Sequence, residues 1–575
     1  MRNFIFPFTL LLLTLNTACV KEEPIASVPQ GNTGDNGQPP SGQGDPLAQY
    51  AWHLKNLGQK TFSTTSGKIG EDSKIQEVHD LGYFGEGIRI AVSDSGTEIS
   101  HEDLGFNQLV GEHRDYSRLP SQWHGALPAV SGNNAHGTAV AGIISAVADN
   151  GVGSKGVAPL SKFAAFKFLG ASGGASALVK NIDQMQGNFD IFNYSYGYGQ
   201  CFFGSIDPLE IDAFKDGVET LRNHLGAIYV QSAGNDFIGD YQECFDFPES
   251  IPFTGNTNHS DDLAIPEKII VGASNAQGLA SSYSTPGSGV WISAAGGEFG
   301  TSSPAILTTD ISSCTKGYSL ASMALNLFNR GSDSLNSKCN YTANMNGTSS
   351  AAPVVSGIVA LMLNANPDLT WRDVKHILAS TADQLDTTGS NTLNHPFGHS
   401  YNRTDYPYDF KWTENEAGYN FSNTYGFGRA NALQAVLMAI SYNFPLGTYT
   451  QANLSSPSIN LSIPDYATTV QPLTHTLAVS DNLKIESVQV TINIDHDYPH
   501  DLGITLKSPS GTVSRLLNYR NNIYAFSFPE NKLLLSNAFY MEESQGDWII
   551  EIVDTETGDA GTLKSWSISI NGSPL

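Results

Sequence analysis

Short apolar runs rich in β-branched residues alternate with helical patterns from Asp45 to about Phe444, and this alternation restricts the fold more than any other feature. Gly87-Ile88-Arg89-Ile90-Ala91-Val92, Lys162 to Leu169, Phe189 to Tyr194, Ala227-Ile228-Tyr229-Val230 and Ile269-Ile270-Val271-Gly272-Ala273 read as strands. His136 to Val147, Ser350 to Asn364 and Thr370 to Ser380 read as helices. Strands interleaved with helices predict an α/β domain built on a mainly parallel sheet.

From about Gln451 the pattern changes. Segments such as Ile485-Glu486-Ser487-Val488-Gln489-Val490 and Trp548-Ile549-Ile550-Glu551-Ile552 alternate, and turn clusters such as Pro509-Ser510-Gly511 separate them. That predicts a β-sandwich over residues 451–575 after an α/β domain over 45–450. At the other end, Met1-Arg2-Asn3, an apolar run from Phe4 to Leu15 and Asn16-Thr17-Ala18-Cys19 describe an export signal over 1–18, too short to span a membrane. Residues 19–44, rich in Gly, Pro, Gln, Asn and Ser, read as a flexible tether that cannot bury enough surface to fold. Cys19 after Thr-Ala resembles the lipobox of bacterial lipoproteins. That resemblance implies lipid attachment at Cys19 and anchoring to a bacterial membrane, at the outer membrane or cell surface, or secretion where lipid is absent.

Acidic residues number 56 against 30 basic, a formal charge of −26. Such a surface repels phosphates and excludes a nucleic-acid partner, while it attracts calcium and basic peptide segments. Four cysteines remain after Cys19: Cys201, Cys244, Cys314 and Cys339. An even number in an exported chain predicts two disulfides, and local closure favours Cys201–Cys244 and Cys314–Cys339 among three possible pairings. Each would restrict the unfolded chain by roughly 3 kcal/mol. Zinc is disfavoured, because no CxxC pair occurs.

Three segments carry chemistry. Ala91-Val92-Ser93-Asp94-Ser95-Gly96 ends an apolar strand in an aspartate; Asn134-Ala135-His136-Gly137-Thr138-Ala139-Val140-Ala141-Gly142 opens a small-residue helix with a histidine; Met345-Asn346-Gly347-Thr348-Ser349-Ser350-Ala351-Ala352-Pro353 places a serine at the start of a buried helix. A serine hydroxyl needs a base to take its proton as it attacks, imidazole titrates near ambient pH, and a carboxylate on the other ring nitrogen fixes the tautomer. Asn235, in Ser232-Ala233-Gly234-Asn235 after a strand, can add an amide donor for a developing oxyanion. Each segment alone is weak; their joint occurrence in the order Asp, His, Ser is very specific.

Asp-Ser-Gly, His-Gly-Thr-x-Val-Ala-Gly and Gly-Thr-Ser-x-Ala-x-Pro resemble the three signatures of the subtilisin-like serine proteases, which implies catalytic roles for Asp94, His136 and Ser349 and an oxyanion role for Asn235. Asp45-Pro46-Leu47 with Gln49 to Leu54, and Asp501 to Leu506, Ser508 to Thr512, Gly546-Asp547-Trp548 and Gly561 to Ser567, are similar to the kexin and furin branch with its C-terminal P-domain, and the cysteine placement is similar to a bacterial kexin-like group. The resemblance implies an endopeptidase acting on proteins or peptides, with cleavage after Lys or Arg the expectation for the branch; a monomer is expected. It also implies a calcium ion held by Asp45 and Asp103 with Val147, Asn150 and Val152. The primary pocket maps to Ser195, Tyr196 and Gly197, with Tyr196 replacing the family's usual Trp and Gln200 near the place of an acid; the second pocket acid falls on Asp246 or Asp240. No prodomain fits between Cys19 and Asp45, so folding unaided or on a separate chaperone protein is expected. A lipid-tethered binding protein or pseudoprotease on the same fold is the alternative; an esterase or lipase would show Gly-x-Ser-x-Gly in another order.

Overall fold

The structure is a computed structural model that describes residues 44–575 apart from 129, 131–133, 173–174, 198–201, 238, 241–251, 323–325, 389, 395, 397–402 and 522–526. The expected export signal, the tether up to residue 43, Cys19, Gln200, Cys201, Cys244 and Asp246 lie outside the described residues, as does the side chain of Asp240.

Seven strands form one parallel sheet: β1 Arg89–Asp94, β2 Arg114–Asp115, β3 Lys162–Lys167, β4 Ile191–Tyr194, β5 Ile228–Ser232, β6 Lys268–Ser274 and β7 Ile292–Ala295. Their order is β2-β3-β1-β4-β5-β6-β7. Strand β6 is buried at every position, as expected where helices cover both faces. On β4, alternate side chains separate the faces. Asn193 meets Ser356 of one helix, while the ring of Tyr194 meets that of Phe214, so the two helices lie on opposite faces. The four helices that matter are α1 His136–Ser145, α2 Ala177–Gln184, α3 Pro208–His224 and α4 Thr348–Ala365. Helix α4 is the one helix among the described residues long and apolar enough to cross a membrane. Its burial, complete from Thr348 to Leu363, makes it the core helix of the domain.

An antiparallel hairpin of β8 Ile306–Thr309 and β9 Tyr341–Met345 leads into α4. Cys314 and Cys339 are disulfide-bonded within the loop that joins its strands. Thr308 Oγ1 and Thr309 Oγ1 donate to the carbonyls of Ala139 and Thr138, at 2.8 and 2.7 Å, and so fix the hairpin to α1.

The chain from Thr450 onward forms two antiparallel sheets. One contains β10 Thr450–Ser455, β11 Leu461–Ile463, β13 Leu483–Asp495, β16 Lys532–Ser536 and β18 Gly561–Pro574. The other contains β12 Leu473–Val479, β14 Leu502–Lys507, β15 Val513–Leu517 and β17 Gly546–Asp554. Val490 and Ile568 from the first share a buried core with Ile504 and Trp548 from the second, which makes a sandwich. The sandwich is not free of the α/β part: Ala538, Tyr540 and Met541 belong to the core that contains the parallel sheet.

Candidate active site

In a parallel sheet every strand ends at the same edge, so side chains from distant stretches meet there. Strand β1 delivers Asp94, fully buried, to that edge. Nδ1 of His136, at the start of α1, lies 2.8 and 2.9 Å from the two carboxylate oxygens of Asp94. Ser95 N donates to Asp94 Oδ1 at 2.7 Å. The loop after β1 is stitched to the first turn of α1: Gly137 N donates to Ser95 Oγ, Thr97 Oγ1 to the Gly137 carbonyl and Glu98 N to Thr138 Oγ1. Only glycine permits this approach, because a Cβ on residue 137 would stand 2.3 Å from the carbonyl oxygen of Gly96. Burial pulls the His136 imidazole down, but the charge and hydrogen bond of Asp94 outweigh it and hold its pKa above the usual 6.5. The side chain of His136 stays 21 % exposed, and with Nδ1 committed to Asp94, Nε2 is the nitrogen left to exchange protons.

Ser349 is the second residue of α4. Gly347 precedes it at φ +99°, a region closed to most side chains, and its N–H donates to the buried Tyr283 hydroxyl at 2.7 Å. Asn235 Oδ1 accepts from Thr348 N at 2.8 Å, and Thr348 Oγ1 accepts from Gly234 N at 3.1 Å. The amide oxygen of Asn235 is therefore occupied, while its Nδ2 has no acceptor among the described residues. The N–H of Ser349, in the first turn, has no intrahelical acceptor either. Two donors are thus available beside the hydroxyl. Ser349 Oγ itself donates to the main-chain carbonyl of Ser195 at 2.9 Å, not to His136. Since Ser93 of β1 pairs with Tyr194 of β4, Ser195 follows its strand beside Asp94, which places all three side chains at one edge.

Several supporting residues escaped the sequence reading. Ser356 Oγ donates to Asn193 Oδ1, and Asn193 Nδ2 donates to Ser195 Oγ, both at 2.9 Å. This buried polar chain ties α4, two turns below Ser349, to the end of β4. A lone amide inside Ile191-Phe192-Asn193-Tyr194 was the available signal. Tyr196 and Gly197 line a cavity of about 160 Å³ that also holds Glu210, Asp262 and Lys268. Lys268 Nζ lies 2.5 Å from Asp262 Oδ1, and burial raises the pKa of Glu210.

The calcium pieces also converge. Asp149 N and Asn150 N donate to the Asp45 carboxylate at 2.9 and 3.1 Å, Asn150 Nδ2 donates to Asp103 Oδ1 at 2.8 Å, and Val147 N donates to the Asp103 carbonyl at 2.9 Å. Val152 N donates to Asn150 Oδ1 at 2.9 Å. Burial pushes Asp45 up to about 6. Burial also raises Asp103 well above the carboxylate range; Asn150 opposes this and the Asp45 charge adds to it. Among the described residues no three His, Cys, Asp or Glu side chains converge as metal ligands, so most of any shell here would be neutral oxygen.

Residues 85–400 match the subtilase family, and residues 485–570 match the proprotein convertase P-domain. The chain is 34 % identical over 547 residues to the Aeromonas extracellular serine protease of Aeromonas sobria, covering 89 % of this chain and 85 % of that protein. It is 28 % identical over 542 residues to a calcium-dependent protease of Trichormus variabilis, covering 90 % of this chain and 70 % of that one. The crystal structure of the Aeromonas sobria serine protease in complex with a chaperone superposes with a TM-score of 0.81 at 30 % identity, covering 93 % of this chain and 96 % of that one. With the sheet, the helix-borne serine and the trailing sandwich all in place, this chain belongs to the subtilase family of serine proteases and carries a C-terminal P-domain.

Proposed function

We propose that the protein is an exported endopeptidase in which Ser349 is the nucleophile, His136 the general base and Asp94 the residue that orients the base. The observation that carries this reading is the His136–Asp94 pair at 2.8 and 2.9 Å at the same sheet edge as Ser349, where Asn235 Nδ2 has no acceptor among the described residues. For the reaction Ser349 Oγ must exchange the Ser195 carbonyl for His136 Nε2, a rearrangement in keeping with the loose hydrogen bonds of substrate-free sites. Oγ attacks the scissile carbonyl as its proton passes to Nε2. Asn235 Nδ2 and Ser349 N–H then hold the oxyanion. The imidazolium gives its proton to the leaving amine, and a water repeats the cycle to release the acyl group.

The protonation state of His136 sets the acid limb. Its raised pKa means that the neutral base is lost as pH falls through a value above 6.5. The expected kcat/KM profile therefore declines below neutrality. A plateau extending unchanged to pH 5 would contradict the role of Asp94. The same pair contributes stability that is fully present below the unfolded value of 6.5 and is lost as pH rises through the folded value.

Calcium at Asp45 and Asp103 is supported by the residues themselves. Two mutually repelling carboxylates, Asp103 buried and Asp45 half-buried, are stabilised as anions by a cation, and Ca²⁺ accepts the carbonyl and amide oxygens of Val147, Val152 and Asn150. The ion would brace the N-terminal segment against the loop after α1. Because the folded pKa of Asp45 is raised from 3.8 to about 6, the metal-free pair lends stability at low pH that disappears as pH rises through about 6. Chelation at pH 7.5 is therefore expected to lower Tm by roughly 5–15 °C, and by much less at pH 5. Equal melting with and without chelator at pH 7.5 would rule the ion out.

Cleavage after Lys or Arg is the finer reading, supported by the cavity at Tyr196 and Gly197, where Glu210 and Asp262 face one ammonium. A peptide-library cleavage profile tests it directly. A profile indifferent to the residue before the scissile bond would leave a serine protease of broad preference. Export is supported by the N-terminal segment and by the extracellular Aeromonas relative, with lipid attachment at Cys19 the further expectation. A chaperone partner is supported by the complex of the Aeromonas sobria enzyme. The proposed division is 45–450 for the catalytic domain and 451–575 for the P-domain.

A further inference from the structure

Where the sandwich meets the α/β part, two adjoining hollows of about 600 and 610 Å³ form a groove that shares Glu416 and Ser510. One wall is the Thr413–Phe421 hairpin; the other is the Ser508–Val513 turn with the segment after Tyr540. Four carboxylates line it, those of Glu414, Glu416, Glu542 and Glu543, against the single ammonium of Lys484, which makes no ion pair among the described residues.

The carboxylate cluster alone would be an ordinary acidic surface. Glu542 makes it more. Its side chain is 3 % exposed, and Oε1 accepts from Glu416 N at 3.1 Å and from Thr512 Oγ1. Oε2 is buried, has no hydrogen-bond partner among the described residues, and belongs to a residue lining the groove. A buried carboxylate oxygen left unpaired loses its hydration without compensation, so it is a position where a donor is missing. The floor beside it is apolar: Tyr419, Met541 and Phe444, the last 45 % exposed. No three of the carboxylates converge as metal ligands. An apolar floor leading to an unpaired carboxylate oxygen fits a guanidinium or ammonium on an aliphatic stem, which lays its methylenes on the rings and its charge on Glu542.

We propose that this groove is an exosite that binds a basic segment of a protein substrate, away from the scissile bond. The proposal rests on the reading of the chain as an endopeptidase. Two hollows with carboxylates along both accommodate more than one cationic side chain of an extended segment, and the net charge of −26 draws such a segment in.

The test uses the full chain with Ser349 covalently blocked by a phosphonofluoridate, so that binding is read without turnover. The probe is a fluorescent dodecapeptide carrying three spaced arginines, followed by anisotropy at low and at 0.5 M salt. Wild type is expected to bind it in a salt-sensitive manner. Both Glu542→Gln and the double variant Glu416→Gln with Glu543→Gln are expected to bind at least tenfold more weakly. The double variant changes only exposed side chains and so guards against a folding defect at Glu542. In unblocked protein, the double variant is expected to hydrolyse a short chromogenic peptide as wild type does, but to lose at least fivefold in kcat/KM on a protein substrate bearing an arginine-rich tail. Undiminished probe binding by the double variant overturns the site. Lost binding with unchanged kcat/KM on the tailed protein overturns the assignment to substrate. Failure of wild type to be labelled or to cleave any peptide refutes the endopeptidase reading instead, and is distinguishable from both.

Discussion

Ser349→Ala is expected to abolish peptide hydrolysis, with kcat falling about 10⁴–10⁶-fold while the protein melts within a few degrees of wild type. The size follows from what the hydroxyl does: without it no acyl-enzyme forms, and the residual rate comes only from substrate positioning and the oxyanion donors. The small effect on stability follows from what the hydroxyl touches. Among the described residues its one hydrogen bond is to the Ser195 carbonyl, worth about 1 kcal/mol net, and the start of α4 is held by Gly347, Thr348, Tyr283 and Asn235 without it. Active-site labelling by a phosphonofluoridate should disappear in parallel. Substantial hydrolysis by the alanine variant at wild-type Tm would mean that another residue performs the attack, and would return the chain to the alternative of a binding protein on a protease fold.

Ending the chain at Tyr449 is expected to leave the catalytic part either insoluble or melting more than about 10 °C lower. The sandwich completes the core rather than hanging from it. Tyr540 stands 5.3 Å from Trp291, 5.1 Å from Tyr419 and 5.4 Å from Phe427, ring to ring, and its hydroxyl lies 2.9 Å from His376 Nδ1. Asn258 donates to the carbonyls of Leu516 and Leu535 and accepts from Leu535 N at 2.8 Å. Arg372 grips Glu486 through two nitrogens at 2.9 and 2.5 Å, and Lys532 pairs with Asp261 at 2.5 Å. Truncation would expose the apolar side chains and dissolve these pairs together. Tyr540→Ala offers a graded version, with an expected loss of about 3–5 kcal/mol for emptying an aromatic site in the core. Chemical denaturation followed by tryptophan fluorescence reads both. A truncated enzyme that melts and cleaves like the full chain would show the interface to be energetically idle.

Much of this molecule was legible in local sequence. The strand runs at Ile90, Phe192, Val230 and Ile270 and the helices at His136 and Ser350 fall where the structure has them, within a few residues, because β-branched runs and small-residue helices state their own backbone preference. The positions of Asp94, His136 and Ser349 were legible for a similar reason: each sits at an element boundary where Gly96, Gly137 or Gly347 marks a close approach or a left-handed turn. Local closure favoured Cys314–Cys339 among the possible cysteine pairings, and the structure joins these two. What the sequence alone could not state is which distant groups share a hydrogen bond. Ser349 Oγ rests on Ser195, Asn193 links Ser356 to that same residue, Asp262 is countered by Lys268, and one buried oxygen of Glu542 has no hydrogen-bond partner among the described residues. Backbone conformation is decided by neighbours in sequence and leaves a local pattern. Pairing, burial and the charge of a pocket are decided by residues far apart in the chain that meet only when the sheet and the sandwich close around them.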